Sequence, residues 1–228
     1  MLDLTEGTLA LRNRAIGVTV ATTGSTSLSA TSTGYARAAG SFLTDGFAVG
    51  MEITLVTGFS VSANNQATTA QGRVITGVTA TAITCSGCAT DAVASGRVIT
   101  VGLPFCRAWE NTIFTPVSGF PWVDEDMVPA TSEMISAPYS GGTVMETGLY
   151  VLKYYGLAGK DVSAIFKSMN ALLARFTPGT SLTAATQTVR VRGDQGPFVG
   201  QIIYLEGNVW AVATLTVPYR VYSTNAIA

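Results

Sequence analysis

The sequence predicts an α+β fold, a largely antiparallel sheet with helices packed on one face, with a small all-β barrel or sandwich in the middle of the chain. Three observations carry this prediction. Residues 161–176 hold one strongly amphipathic helical pattern, strand-like segments precede and follow it, and the composition of residues 18–101 is dominated by Thr, Ser, Gly, Ala and Val.

Residues 2–16 place Leu4, Leu9, Leu11 and Ile16 at spacings that suit a short helix, weakened by Gly7. The middle block follows, with its charges limited to Arg37, Asp45, Glu52, Arg73, Asp91 and Arg97. Short β-branched runs at 52–56, 73–76, 81–84 and 97–101, separated by Gly or Asn clusters, read as strands. Phe42, Phe47, Ile53, Leu55 and Phe59 supply a core for a module of about six strands, with Thr22 to Thr33 the stretch closest to low-complexity disorder.

The sheet of the larger unit is expected from 148–155, 186–192, 199–205 and 209–219. In the last, Val209, Ala211, Ala213, Leu215 and Val217 alternate with Trp210, Val212, Thr214 and Thr216, as when one face packs inward and the other is partly exposed. Gly193-Asp194-Gln195-Gly196 and Gly207-Asn208 read as hairpin connections. The helical stripe is Val162, Ile165, Phe166, Met169, Leu172, Leu173 and Phe176, with Asp161 as N-cap and Thr177-Pro178-Gly179 as the stop.

Composition narrows the function. Hydrophobic residues make up 47% and charged residues 12% of the 228, enough for a buried core, and the net charge is −1. With no basic run, direct nucleic-acid or anionic-membrane binding is not expected. No apolar run approaches the roughly 20 residues that cross a bilayer, and the acidic start Met1-Leu2-Asp3-Leu4-Thr5-Glu6 is unlike a secretory signal, so an intracellular, soluble product is expected. So low a charge favours association with other copies.

Catalytic apparatus is hard to find. The chain has no histidine, which removes the usual general base and the usual metal ligand, and the expectation is no enzyme, no cofactor and no metal. Cys85-Ser86-Gly87-Cys88 has CxxC spacing, but with Cys106 as the third cysteine and no second CxxC it reads as reduced cysteines near a strand turn. Asp124-Glu125-Asp126 lacks the alternating ligands of a calcium loop and reads as a solvated loop. Ser140-Gly141-Gly142 and Gly156-Leu157-Ala158-Gly159-Lys160 fail phosphate-loop spacing and read as tight turns. Trp109, Trp122, Tyr139, Tyr150, Tyr154, Tyr155, Trp210, Tyr219 and Tyr222 read as core or interface packing, with a sugar- or base-stacking platform as the alternative.

Five segments in order carry a resemblance: Arg107-Ala108-Trp109-Glu110-Asn111-Thr112-Ile113-Phe114-Thr115-Pro116, Phe120-Pro121-Trp122-Val123, Glu146-Thr147-Gly148-Leu149-Tyr150, Arg175-Phe176-Thr177-Pro178-Gly179-Thr180, and the run from Trp210 through Val217-Pro218-Tyr219-Arg220 to Asn225. Together with the opening helix, these resemble tail terminator proteins of long-tailed, siphovirus-type phages. The resemblance spans residues 1–17 and 103–228, and departs from the family's pattern in the middle, where residues 18–102 are expected to be an inserted β domain. Such an insertion leaves its host intact if its ends are close in space.

The resemblance implies a structural virion protein: a homo-oligomeric ring, expected to be a hexamer, that caps the tail tube and ends its polymerisation. Its implied partners are copies of itself, the major tail tube protein and the head-completion or stopper (neck) protein. Its implied place is the head-proximal end of the virion tail, after assembly in the host cytoplasm. A ring uses heterologous interfaces, and stopping growth requires two different faces. Arg190, Arg192 and Arg220 are the candidate interface residues. The alternatives are another tail tube or neck subunit, and a carbohydrate- or surface-binding module acting through residues 18–102.

Overall fold

The structure is a computed structural model that describes residues 4–16, 18–24, 26–66, 73–104, 107–109, 113–134, 143–159, 162–184, 187–205, 207 and 209–224. The chain opens with helix α1 (Leu4–Ile16). The middle block contains β1 (Ala21–Thr22), β2 (Leu28–Thr31), β3 (Gly34–Arg37), the single-turn α2 (Phe42–Asp45), β4 (Met51–Thr57), β5 (Gly77–Val78), β6 (Ala82–Thr84), β7 (Asp91–Ala94) and β8 (Val98–Pro104). There follow β9 (Arg107–Trp109), β10 (Trp122–Met134), β11 (Thr143–Leu157), α3 (Ser163–Arg175), β12 (Ser181–Ala184), β13 (Gln187–Val191), β14 (Phe198–Val199), β15 (Ile203–Leu205) and β16 (Trp210–Thr224).

These strands form three sheets. An eight-stranded sheet runs β12-β13-β16-β11-β10-β9, with β14 and β15 also paired to β16. Every pairing in it is antiparallel except β9 with β10. The middle block forms a three-stranded sheet, β1-β8-β4, and a five-stranded sheet, β5-β6-β3-β2-β7.

The α+β expectation is therefore overturned: strands account for 49% and helices for 15%, and the fold is mostly β with several sheets. The reason lies in strand length. The ladders joining β10, β11 and β16 continue past the alternating apolar residues into polar ends such as Thr131-Ser132-Glu133 and Glu146-Thr147. A ladder propagates through backbone hydrogen bonds, which hydrophobic periodicity does not report.

The alternation in β16 is realised from Ala211 onward, with Ala211, Ala213, Leu215, Val217, Tyr219 and Val221 buried in the larger core, whereas Val209, expected on that face, is half exposed and Val212, expected on the other, is buried. That core also takes Leu11 and Ala15 from α1, Ile165, Met169 and Leu172 from α3, then Phe176, and Tyr150, Leu152 and Tyr154 from β11. Phe166, expected in the buried stripe, is half exposed instead, while Ser168 is buried. The helix starts at Ser163 behind Val162, and Asp161 lies outside the described residues. Gly7 has a packing role in α1: a Cβ there would meet Val189 Cγ2 at 3.3 Å and Val221 Cγ2 at 3.4 Å, so its bare backbone lets the helix lie close to the sheet.

Around the smaller core stand Leu28, Tyr35, Phe42, Phe47, Met51, Ile53, Val56, Phe59, Ile75, Ile83, Ile99 and Val101. The stretch expected nearest to disorder, Thr22 to Thr33, instead supplies Leu28–Thr31 as the first strand of the β2–β3 hairpin. The run at 73–76 is no strand and contributes one isolated bridge, Val74 with Glu52. Gly193-Asp194-Gln195-Gly196 is not a hairpin either. Strands β13, β14 and β15 pair in turn along the same edge of β16, so this stretch interrupts one broken strand. The Gly207 turn does join β15 to β16, with Asn208 outside the described residues.

Candidate functional site

The three arginines singled out in the sequence converge on one patch. Arg190 and Arg220 are Cα partners across the β13–β16 ladder, and Val189 and Val191, which flank Arg190, point into the core. Arg190 and Arg192 therefore project from the opposite face. Arg192 follows β13 directly, held by its backbone N–H to Pro218 O at 2.9 Å.

Asp194, in the interruption of the broken strand, collects this patch. Its carboxylate accepts a fork from Arg192, Nε to Oδ1 at 3.1 Å and Nη2 to Oδ2 at 2.6 Å, and a third contact from Arg220 Nη2 at 3.3 Å. The Arg192 fork, then a hydrogen bond from the backbone and the charges of Arg192 and Arg220, hold the Asp194 carboxyl down at about 2. Arg190 donates from Nε to Ser181 Oγ at 3.3 Å. Three guanidiniums against one carboxylate leave the patch positive, suited to a carboxylate-bearing surface and without a nucleophile or base.

Next along the same strand lies a surface of different chemistry. Phe198 (56% exposed), Ile203 (57%), Tyr204 (55%), Leu205 (40%) and Val209 (52%) line the β14–β15 edge and the turn after it as an apolar ribbon, with Ile203 and Leu205 on one face of β15 and Tyr204 on the other. Among the described residues β15 pairs with β16 alone, so its outer backbone edge is open. The sequence reading placed these residues inside a sheet. The unbroken Ile202-Ile203-Tyr204-Leu205 run, which lacks strict alternation beside an interrupting Pro197, was the signal that could have exposed them.

The acidic triplet is no loop. It lies in β10, where alternation sends Asp124 and Asp126 to one face and Glu125 to the other. Lys153 on β11 bridges Asp124 (3.1 Å) and Asp126 (2.6 Å). Glu125 is fully buried and accepts a hydrogen bond from Tyr150 Oη at 2.8 Å. Burial raises its carboxyl above the usual value, against the Tyr150 bond and the charges of Arg107 and Arg12, which lower it.

Aromatic side chains are largely spent on one another. Trp122 stacks on Tyr155 at 3.7 Å and 6°, with Trp210 edge-on at 6.2 Å and Phe114 at 5.1 Å. Tyr150, Tyr154 and Tyr219 are core residues, and Tyr139 lies outside the described residues. Gly159 takes a left-handed φ of 73° in the turn before α3, while Lys160 and the 140–142 segment lie outside the described residues, as do Glu110, Asn111 and Cys106. Among the described residues no three His, Cys, Asp or Glu side chains are grouped to hold a metal, and no helix is long and apolar enough to cross a membrane.

Comparison with known proteins gives one family. No curated protein matches the sequence. A solved structure without a descriptive name is 20% identical over 54% of this chain and 82% of that chain, at a TM-score of 0.37, which is too low to inform the fold. The family model described as phage tail terminator protein matches residues 91–219. That span begins in β7 and takes in β8, so it reaches into the middle block and leaves α1 outside. With more than half of its length matched, the chain belongs to the phage tail terminator protein family, structural proteins of the bacteriophage tail.

Proposed function

We propose that this chain forms a closed ring, a hexamer, that caps the tail tube at its head-proximal end, ends tube polymerisation and joins the tube to the head-completion (stopper) protein of the neck. The observation that carries the reading is the apolar ribbon of Phe198, Ile203, Tyr204, Leu205 and Val209 beside an open strand edge. An exposed edge of this kind templates pairing with another chain, and a contact between two different patches generates a ring when its rotation closes. The positive Arg190, Arg192 and Arg220 patch, on the same broken strand, offers the polar part of that contact or of the contact with the tube.

Residues 18–102 act in this proposal as a guest domain inside a host made of 1–17 and 103–228. Two separate cores support it, with Val18 and Leu103 in the larger and Ala21 and Val101 in the smaller. The guest's two ends lie side by side, since Val20 N donates to Val101 O at 2.8 Å and β1 pairs with β8. Replacing residues 20–101 by a two-residue Gly-Ser linker is expected to leave a host with one cooperative unfolding transition by circular dichroism. A molten product would reject the guest reading while leaving the ring untouched.

Mass photometry and negative-stain imaging of the purified chain, alone and with tail tube protein, test the ring. Closed rings of uniform mass that block tube elongation are expected. Extended tubes of the chain itself, or monomers both alone and on tubes, overturn the proposal.

A further inference from the structure

Cys85 and Cys88 lie in the turn after β6, and their sulfurs stand 3.4 Å apart, both as free thiols. Gly87, between them, adopts a left-handed φ of 74°, a conformation that folds the turn back and brings the two sulfurs together. The turn is tied down at both ends: Cys85 N donates to Thr33 O at 3.0 Å, and Arg73 Nη2 donates to Gly87 O at 2.8 Å.

Arg73 distinguishes this turn from an ordinary surface CxxC. It is buried, and its guanidinium donates to the carbonyl oxygens of Ala63, Asn64 and Gly87 and to the Tyr35 hydroxyl. Its contacts in this cluster are neutral, so its positive charge acts on the neighbouring sulfurs and favours thiolate. The two cysteines are not equivalent. Cys85 is 3% exposed, whereas Cys88 is half-buried and reachable from solvent.

We propose that Cys85 and Cys88 are a redox-modification site: a dithiol that peroxide closes into an intrachain disulfide, with Cys88 attacking and Cys85 resolving. The Cys88 hydrogen bonds agree with this division. That from Cys85, ahead of that from Tyr35 and the charge of Arg73, lowers the Cys88 thiol, while the same Cys85–Cys88 bond and burial raise Cys85.

The chemistry balances with peroxide as the oxidant. Cys88 first releases its proton to solvent; the thiolate then attacks one peroxide oxygen, the O–O bond breaks, and the departing hydroxide takes up a proton from solvent and leaves as water. Cys88 is then a sulfenic acid. The Cys85 sulfur attacks Sγ of Cys88, forming the S–S bond as the S–O bond breaks. The departing hydroxide carries off the Cys85 proton as a second water. The sulfurs lose two electrons and the peroxide gains them. A disulfide closing so short a loop adds little to stability, so the site is a redox device and not a structural staple. This inference does not depend on ring formation.

The test is thiol counting and disulfide mapping on the purified full chain after brief treatment with dilute hydrogen peroxide. Of three cysteines, one is expected to remain alkylatable, with the disulfide map joining Cys85 to Cys88 and dithiothreitol restoring all three. In Cys85→Ser, Cys88 is expected to be captured as a sulfenic acid by a dione probe. Persistence of three alkylatable thiols, or a disulfide to Cys106 or to a second copy, overturns the proposal. Should Cys85→Ser fold poorly, the map on the unmodified chain decides alone.

Discussion

Gly148 and Tyr219 face each other across the β11–β16 ladder, and the tyrosine ring fills the space where a side chain on Gly148 would stand. A Cβ added there would lie 2.6 Å from Tyr219 Cζ and 2.9 Å from Cε1, closer than real Cβ atoms come to aromatic carbons. Both residues belong to segments through which the family resemblance is drawn, and the contact gives these segments a shared physical reason. Tyr219 is buried, so moving its ring aside would disturb the core packed around it. Gly148→Ala is therefore expected to lower stability by about 1–3 kcal/mol, the usual cost of overpacking a close-packed site. Urea unfolding of the two proteins measures it; an unchanged midpoint would show that the ring shifts freely.

Charge placed on the apolar ribbon separates folding from assembly. Ile203 is mostly exposed, so Ile203→Lys is expected to move monomer stability by no more than about 0.5 kcal/mol, the range of ordinary surface substitutions. Self-association should fall sharply, because a lysine on an open edge opposes strand pairing. Sedimentation velocity at several concentrations reads both the native fold and the assembly state. Unaltered assembly would move the interface elsewhere on the molecule.

The Arg192–Asp194 fork makes a titration prediction. Asp194 is depressed to about 2, so whatever stability the fork contributes is present above the ordinary carboxylate range and is lost as pH falls through about 2. Carbon-detected NMR is expected to place the Asp194 midpoint there, and Arg192→Gln should return it toward the ordinary range. A midpoint unaffected by Arg192→Gln would mean that Arg220 alone, or the backbone, sets it.

Glu125 has the opposite sign. Burial raises its folded-state pKa, so between the unfolded value and the raised one the native state binds the extra proton. Stability from this group is full below the ordinary glutamate range and falls as pH rises through the raised value. Glu125→Gln keeps an acceptor for Tyr150 and removes the titration, so the slope of Tm with pH in this window is expected to flatten. Parallel Tm–pH curves for the two proteins would show that Arg12 and Arg107 neutralise the carboxylate fully.

Local pattern alone located α3, β16 and the two characters of the chain, because helix and strand faces are written in spacings of three to four and of two. The absence of histidine and the scarcity of charge gave the expectation of a structural protein, and the family match supplies the coarser statement of a tail protein. The order of short motifs from Arg107 to Asn225 carried the family. What needed the tertiary structure was everything set by pairing between distant strands. The fold class turned on ladders extending into polar ends. The acidic triplet became strand when β11 supplied its partner, with Lys153 clasping two carboxylates and Tyr150 holding the third. The meeting of Arg190 with Arg220, residues far apart in sequence, came from the register of β13 on β16. The exposed ribbon came from the break between β13 and β15. Backbone hydrogen bonds are made alike by every residue except proline, so side-chain order records which face is buried but not which strand lies beside it.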